Sequence, residues 1–135
     1  MKENIKKFPS HYTFDLDGTL LPMDMGKFTE LYLKALCKRF VPEIGIDAKT
    51  LVKAVWSGAE MMAKNDGMRM NCEVFWRTMN SVCNRDMRVY ARDFDDFYRN
   101  EFIYAKKGTG FTPYAKKTID YLKSKNVRMI VATNP

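Results

Sequence analysis

Histidine and cysteine are scarce in this chain of 135 residues, which holds one His and three Cys. A single imidazole, His11, leaves little room for His-based acid–base catalysis. Cys37, Cys72 and Cys83 form an odd set with no CxxC pair. That argues against a disulfide scaffold or a zinc site and for a reducing compartment. No apolar run approaches the ~20 residues that a bilayer-spanning helix needs. The N-terminal stretch MKENIKKFPSHYTF has lysines but no apolar segment of signal-peptide length. Internal repeats and low-complexity linkers are absent too. Together these absences leave a cytoplasmic globular protein, without a membrane partner, as the expectation.

What is present suits a folded domain. Hydrophobic residues make up 46% and charged residues 29%, a balance that disordered tails do not have. The net charge of +7 looks like a nucleic-acid signal until it is located. Residues 15–105 are nearly balanced. The excess sits in 106–135, on Lys106, Lys107, Lys116, Lys117, Lys123, Lys125 and Arg128 against Asp120 alone. Such a cluster reads as one solvated helix face, so nucleic acid is not an expected partner.

The pattern along the chain is strand, helices, strand. His11–Leu16 (HYTFDL) is short, aromatic and β-branched and runs into an Asp-Gly turn, so a buried strand is expected. In 27–40 the apolar positions Phe28, Leu31, Tyr32, Ala35, Leu36 and Phe40 keep helical spacing, with Pro42 as the expected stop. Asp47 suits the N-cap of a second helix carrying Leu51, Val55, Ala59 and Met62, ended by the turn Asn65-Asp66-Gly67. Asn71 is placed to cap a third helix with Phe75, Met79 and Val82. A fourth carries Tyr90, Phe94, Phe97, Tyr98 and Phe102. The methionines Met61, Met62, Met68, Met70, Met79 and Met87, with Trp56 and Trp76, read as filling for this helical core. Thr112-Pro113 opens a further helix lined by Ala115, Ile119 and Leu122, and Val127–Ala132 is an apolar run of strand length. Strand, crossover helix and second strand imply a parallel βαβ pairing. The helices of 27–105 then form a satellite inserted after the first strand.

One segment carries chemistry: Phe14-Asp15-Leu16-Asp17-Gly18-Thr19-Leu20-Leu21. Two carboxylates two residues apart in a strand point to the same side. Their repulsion is relieved by a cation, and oxygen ligands suit Mg²⁺. Gly18 permits the tight turn. A solvated Asp-Gly turn would need only one acid. A calcium loop fails, because Leu20 and Gly26 stand where its Gly and Glu are required.

FDLDGTLL resembles the first motif of the haloacid dehalogenase-like superfamily, a hydrophobic strand followed by DxDGT. The terminal VATNP is similar to that superfamily's second motif, a hydrophobic strand ending in Thr or Ser. The helical run between them looks like the cap that many members insert after the first motif. The resemblance implies an α/β fold, a partial Rossmannoid core in 1–26 and 106–135 with an all-helical cap in 27–105. By the same resemblance Asp15 matches the nucleophile and Asp17 the general acid/base of a phosphomonoester hydrolase working through an aspartyl-phosphate. Asp15 and Asp17 would hold Mg²⁺, and Thr133, helped by the backbone of Asn134, would bind the phosphoryl oxygens of a small phosphorylated substrate. The superfamily's third motif supplies a lysine and its fourth supplies further acidic ligands. Both follow the second motif, whereas this chain stops at Pro135, so weak or no turnover is expected from it. The alternative is a non-catalytic relative serving as a binding or interaction module, one form of which is a homodimer that completes its sheet between chains.

Overall fold

A computed structural model describes residues 9–133. Along them run β1 (His11–Phe14), α1 (Met25–Ile44), α2 (Ala48–Ala63), α3 (Asn71–Cys83), α4 (Ala91–Asn100), α5 (Pro113–Ser124) and β2 (Arg128–Val131). Short 3-10 segments, Met87–Tyr90 and Phe102–Gly108, flank α4. The chain divides into two units: Met25–Gly108, and the segment before it together with Thr109–Thr133. Sequence patterning puts these joins at 26/27 and 105/106, within a few residues of those observed.

The helical unit is built on amphipathic stripes. Leu36, Phe40 and Ile44 recur every fourth residue on α1 and are buried, as are Leu51, Ala54, Val55 and Gly58 on α2. Phe94 and Phe97 of α4 meet them, with the Phe40 and Phe94 rings stacked at a centroid distance of 4.1 Å. Each fully buried side chain of this size contributes roughly 1.5–3 kcal/mol by leaving water. Gly58 matters for packing: a Cβ there would lie 2.6 Å from the Phe75 ring, so its absence lets α3 lie close on α2. The second helix starts as expected, with the Asp47 carboxylate accepting from the Thr50 N–H at 2.9 Å and from the Thr50 hydroxyl at 2.6 Å.

Several boundaries differ from the sequence reading. Pro42 does not stop α1, which continues to Ile44. Proline forfeits one backbone bond there, but Ile44 is buried in the core and its carbonyl accepts from the Arg85 guanidinium at 2.7 Å. Tertiary packing thus outweighs the local stop signal. Asn71 is the first residue of α3 rather than its cap, and its amide oxygen accepts from Asn65 Nδ2 instead. Trp56 is 48% exposed and not core. Met79 and Met87 are fully buried, but Met61, Met68 and Met70 face solvent.

The other unit is slight. β1 and β2 pair in parallel, His11 opposite Arg128 through Phe14 opposite Val131, as a crossover connection requires. Thr112 caps α5 by accepting from the Tyr114 N–H at 3.3 Å, and Pro113 takes the first helical position. Asn126, in a left-handed conformation, turns the chain from α5 into β2. The partial Rossmannoid α/β core is not what forms. Among the described residues the protein is mostly helical, and its sheet has two strands of four residues each. The motif residues at 15–21 leave the strand for a turn, and Val127 and Ala132 fall outside β2, so each strand is shorter than its apolar run. Two such strands cannot make the multi-stranded, doubly covered sheet that a Rossmannoid fold needs.

Candidate functional site at the strand ends

Asp15 is the first residue after β1. Beyond it the chain folds into a compact turn. The Leu21 N–H donates to the Leu16 carbonyl at 2.9 Å, and the Gly18 N–H donates to the Leu21 carbonyl at 2.8 Å. Gly18 has a φ of +77°, which a side chain would strain. This turn is what the DxDG spacing anticipates. It employs the carbonyls of Leu16 and Leu21 and leaves that of Asp17 out.

Thr19, which sequence reasoning did not single out, has a specific part: its hydroxyl donates to Asp15 Oδ2 at 3.0 Å. The turn returns Thr19 to the carboxylate four residues behind it, a spacing that could have flagged it as a positioning group. Asp15 and Asp17 are both exposed.

Thr133 approaches from the other strand. The Ala132 N–H donates to the Phe14 carbonyl at 2.9 Å, which carries the parallel register one step past Val131. Neighbouring strands lie ~4.8 Å apart. Asp15 and Thr133, 118 positions apart in sequence, therefore leave the carboxyl ends of two adjacent parallel strands. That is the position where open parallel sheets bind ligands. Asn134 lies outside the described residues.

The donor set offers hard oxygens, the Asp15 carboxylate and the Asp17 carbonyl, which is the chemistry Mg²⁺ selects. It is a sparse set: among the described residues no three His, Cys, Asp or Glu side chains gather to hold a metal. Such a site fits Mg²⁺ only with most of its coordination left to water.

Two other features escaped sequence reasoning. Inside the helical unit the Tyr32 and Tyr98 hydroxyls share a hydrogen bond at 2.9 Å. Burial pushes the Tyr32 phenol well above its ordinary value, and Tyr98 beside it adds to the rise. Burial raises Tyr98 as well, with the Tyr32 hydrogen bond acting against it. Tyr98 as a residue is 43% exposed, so the pair lies at the margin of the helical core rather than in its interior. The second feature is a cleft beside the α2–α3 turn, lined in part by Arg69 and Arg77. Its α3 wall follows a helical face, Val74, Arg77, Thr78 and Ser81, that a search for polar stripes would have found.

The three cysteines are free. Burial raises the Cys37 and Cys83 thiols, whereas Cys72 is exposed, so a reading of all three cysteines as buried small apolar groups fails at Cys72. Among the described residues no helix is long and apolar enough to cross a membrane. Comparison with known protein families, curated proteins and solved structures gives no match.

Proposed function

We propose that the strand-end site carries Mg²⁺-dependent phosphomonoester hydrolysis, as the resemblance of FDLDGTLL and VATNP to the haloacid dehalogenase-like motifs implies. The observation that carries this reading is the parallel register, which sets Asp15 beside the strand leading to Thr133. An Asp15 carboxylate oxygen attacks phosphorus, forming a new O–P bond as the bond to the leaving oxygen breaks. Asp17, in its acid form, delivers the proton that the departing alcohol needs. Asp17 then takes a proton from water attacking the aspartyl-phosphate, which releases phosphate and restores Asp15. Thr19 holds the Asp15 carboxylate in place, and the Thr133 hydroxyl donates to a phosphoryl oxygen. Mg²⁺, held by the Asp15 carboxylate and the Asp17 carbonyl, would offset the charge of the phosphoryl oxygens.

A second reading, a non-catalytic binding module, is favoured by the absence of a third metal-ligating side chain among the described residues. One experiment separates the two. The chain is incubated with p-nitrophenyl phosphate, with and without Mg²⁺. Slow Mg²⁺-dependent release of p-nitrophenol is expected, because among the described residues no third acidic side chain joins Asp15 and Asp17 to fix the cation, and electrostatic stabilisation is usually the largest catalytic term. Asp15→Asn should abolish it, and mass spectrometry should find the acyl-phosphate on the peptide containing Asp15. Turnover that survives Asp15→Asn, or no Mg²⁺-dependent turnover at all, would overturn the hydrolase reading.

A further inference from the structure

The cleft beside the α2–α3 turn has a volume of about 540 Å³, within the range of small-molecule sites. Its lining comes wholly from the helical unit and includes none of the strand-end residues Asp15, Asp17, Thr19 or Thr133. We propose that it binds a small organic anion, with a phosphonate, phosphate or carboxylate head held by Arg69 and Arg77 and an apolar body lying on Met61 and Val74.

Charge is the first argument. Of the cations on the lining, Lys64 is already engaged by Glu60. Arg69 and Arg77 make no ion pair with any described residue, so both guanidinium groups are available. The one acid on the lining, Asp66, has one carboxylate oxygen turned to the Met68 N–H at 3.0 Å and makes no ion pair with either arginine. The cleft therefore presents two forked donors against a single carboxylate, and guanidinium forks match planar or tetrahedral oxyanions.

Preorganisation is the second argument. Asn65 ties the turn from within. Its amide donates to the Arg69 carbonyl at 2.8 Å and to Asn71 Oδ1 at 2.8 Å, and its oxygen accepts from the Gly67 N–H at 3.4 Å. Arg69 is thus carried on a braced loop rather than a free one. Arg77 rides on α3, which the close approach permitted by Gly58 seats on α2. Holding both cations on fixed backbone lowers the ordering cost of binding. Thr78 and Ser81 share the Arg77 wall and add hydroxyls to the head-group end. The Thr78 hydroxyl donates to the Val74 carbonyl at 2.9 Å, which leaves its oxygen as an acceptor. The available hydroxyl donor is thus that of Ser81. Met61 of α2 and Val74, one turn before Arg77 on α3, add apolar surface to the lining, so the cleft suits an anion with a hydrophobic body better than a bare ion.

The test is amide chemical-shift titration of the full chain with three probes: phenylphosphonate, inorganic phosphate and benzyl alcohol. Phenylphosphonate resists hydrolysis, so the readout is binding alone. Saturable shifts are expected at the Asn65, Met68 and Thr78 amides, with phenylphosphonate binding more tightly than phosphate and far more tightly than benzyl alcohol. Because the arginines are solvent-exposed, each single change, Arg69→Gln or Arg77→Gln, should weaken binding about fivefold. The double variant should weaken it by more than about tenfold, with circular dichroism unchanged. Shifts confined to residues 15–19 would place the anion at the strand-end turn and overturn the proposal. So would affinity unaltered in the double variant, or benzyl alcohol binding as well as phenylphosphonate.

Discussion

The two units differ most in what they bury. In Met25–Gly108 the side chains of Leu36, Phe40, Leu51, Met79, Met87 and Phe97 are fully buried, and Ile44, Val55 and Phe94 nearly so. In the strand unit only Leu122 and Val127 reach that class among the described residues, while Phe111, Tyr114 and Val131 are 78%, 74% and 56% exposed. Apolar burial is the main stabilising term, and a two-stranded sheet without it is marginal in water. The candidate catalytic residues Asp15, Asp17 and Thr133 thus stand on the less stabilised of the two units. The anion cleft stands on the more stabilised one. Weak turnover and firm binding are the outcomes that this asymmetry favours, since a site is only as precise as the shell that holds it.

The most forceful way to break the comparison is to cut into each core. Phe40→Ala removes a ring stacked on Phe94 and in edge contact with Phe97, and should cost ~3–5 kcal/mol. Leu122→Ala should cost less, toward ~2 kcal/mol, because an open surrounding collapses easily onto the gap. Urea unfolding followed by far-ultraviolet circular dichroism reads both. Equal losses would mean that the strand unit is packed as firmly as the helical one.

A finer cut uses two glycines that are neighbours in sequence but lie in different units. A Cβ on Gly108 would sit 2.5 Å from the Phe28 Cα, and backbone cannot swing aside. Gly108→Ala should therefore cost ~1–3 kcal/mol through overpacking. A Cβ on Gly110 would meet Pro22 at 3.5 Å, an ordinary contact, so Gly110→Ala should stay within ~0.5 kcal/mol of the parent. Thermal melts of the two variants decide it; a destabilising Gly110→Ala would reveal tight packing where the structure has none.

Local signals in the sequence are legible wherever local physics decides. The Asp47 cap, the Asn65-Asp66-Gly67 turn, the Thr112-Pro113 start and the parallel pairing of two distant strands all follow from side-chain chemistry and periodicity. The failures came where non-local packing decides. Pro42 was overruled by the burial of Ile44, and Trp56 kept helical spacing yet landed on the outer face. The largest difference is one of scale: the resemblance of FDLDGTLL and VATNP implies a partial Rossmannoid core, whereas each of the two strands has only four residues. At the candidate site the order Asp15, Asp17, Gly18 was legible because the turn is local. The Arg69–Arg77 cleft was not, because it arises from how a braced turn meets a helix face.

A smaller effect than the core cuts concerns the Tyr32–Tyr98 hydroxyl pair of the helical unit. Tyr98→Phe removes the hydroxyl that partners Tyr32 and should cost ~0.5–1.5 kcal/mol, since the Tyr32 hydroxyl loses its 2.9 Å partner. The pair also predicts an alkaline limit. Tyr32 has a folded-state pKa above its ordinary value near 10, chiefly because burial disfavours the phenolate, so the folded protein holds this proton more tightly than the unfolded chain. Its contribution is therefore complete below pH ~10 and is lost as pH rises further, when the unfolded chain ionises first. Melting temperature should be flat through neutral pH and fall above pH ~10. In Tyr32→Phe that alkaline fall should be shallower, because the most strongly shifted group is gone. A fall equally steep in Tyr32→Phe would mean that the Tyr32 phenol is not shielded as described and that other groups set the alkaline limit.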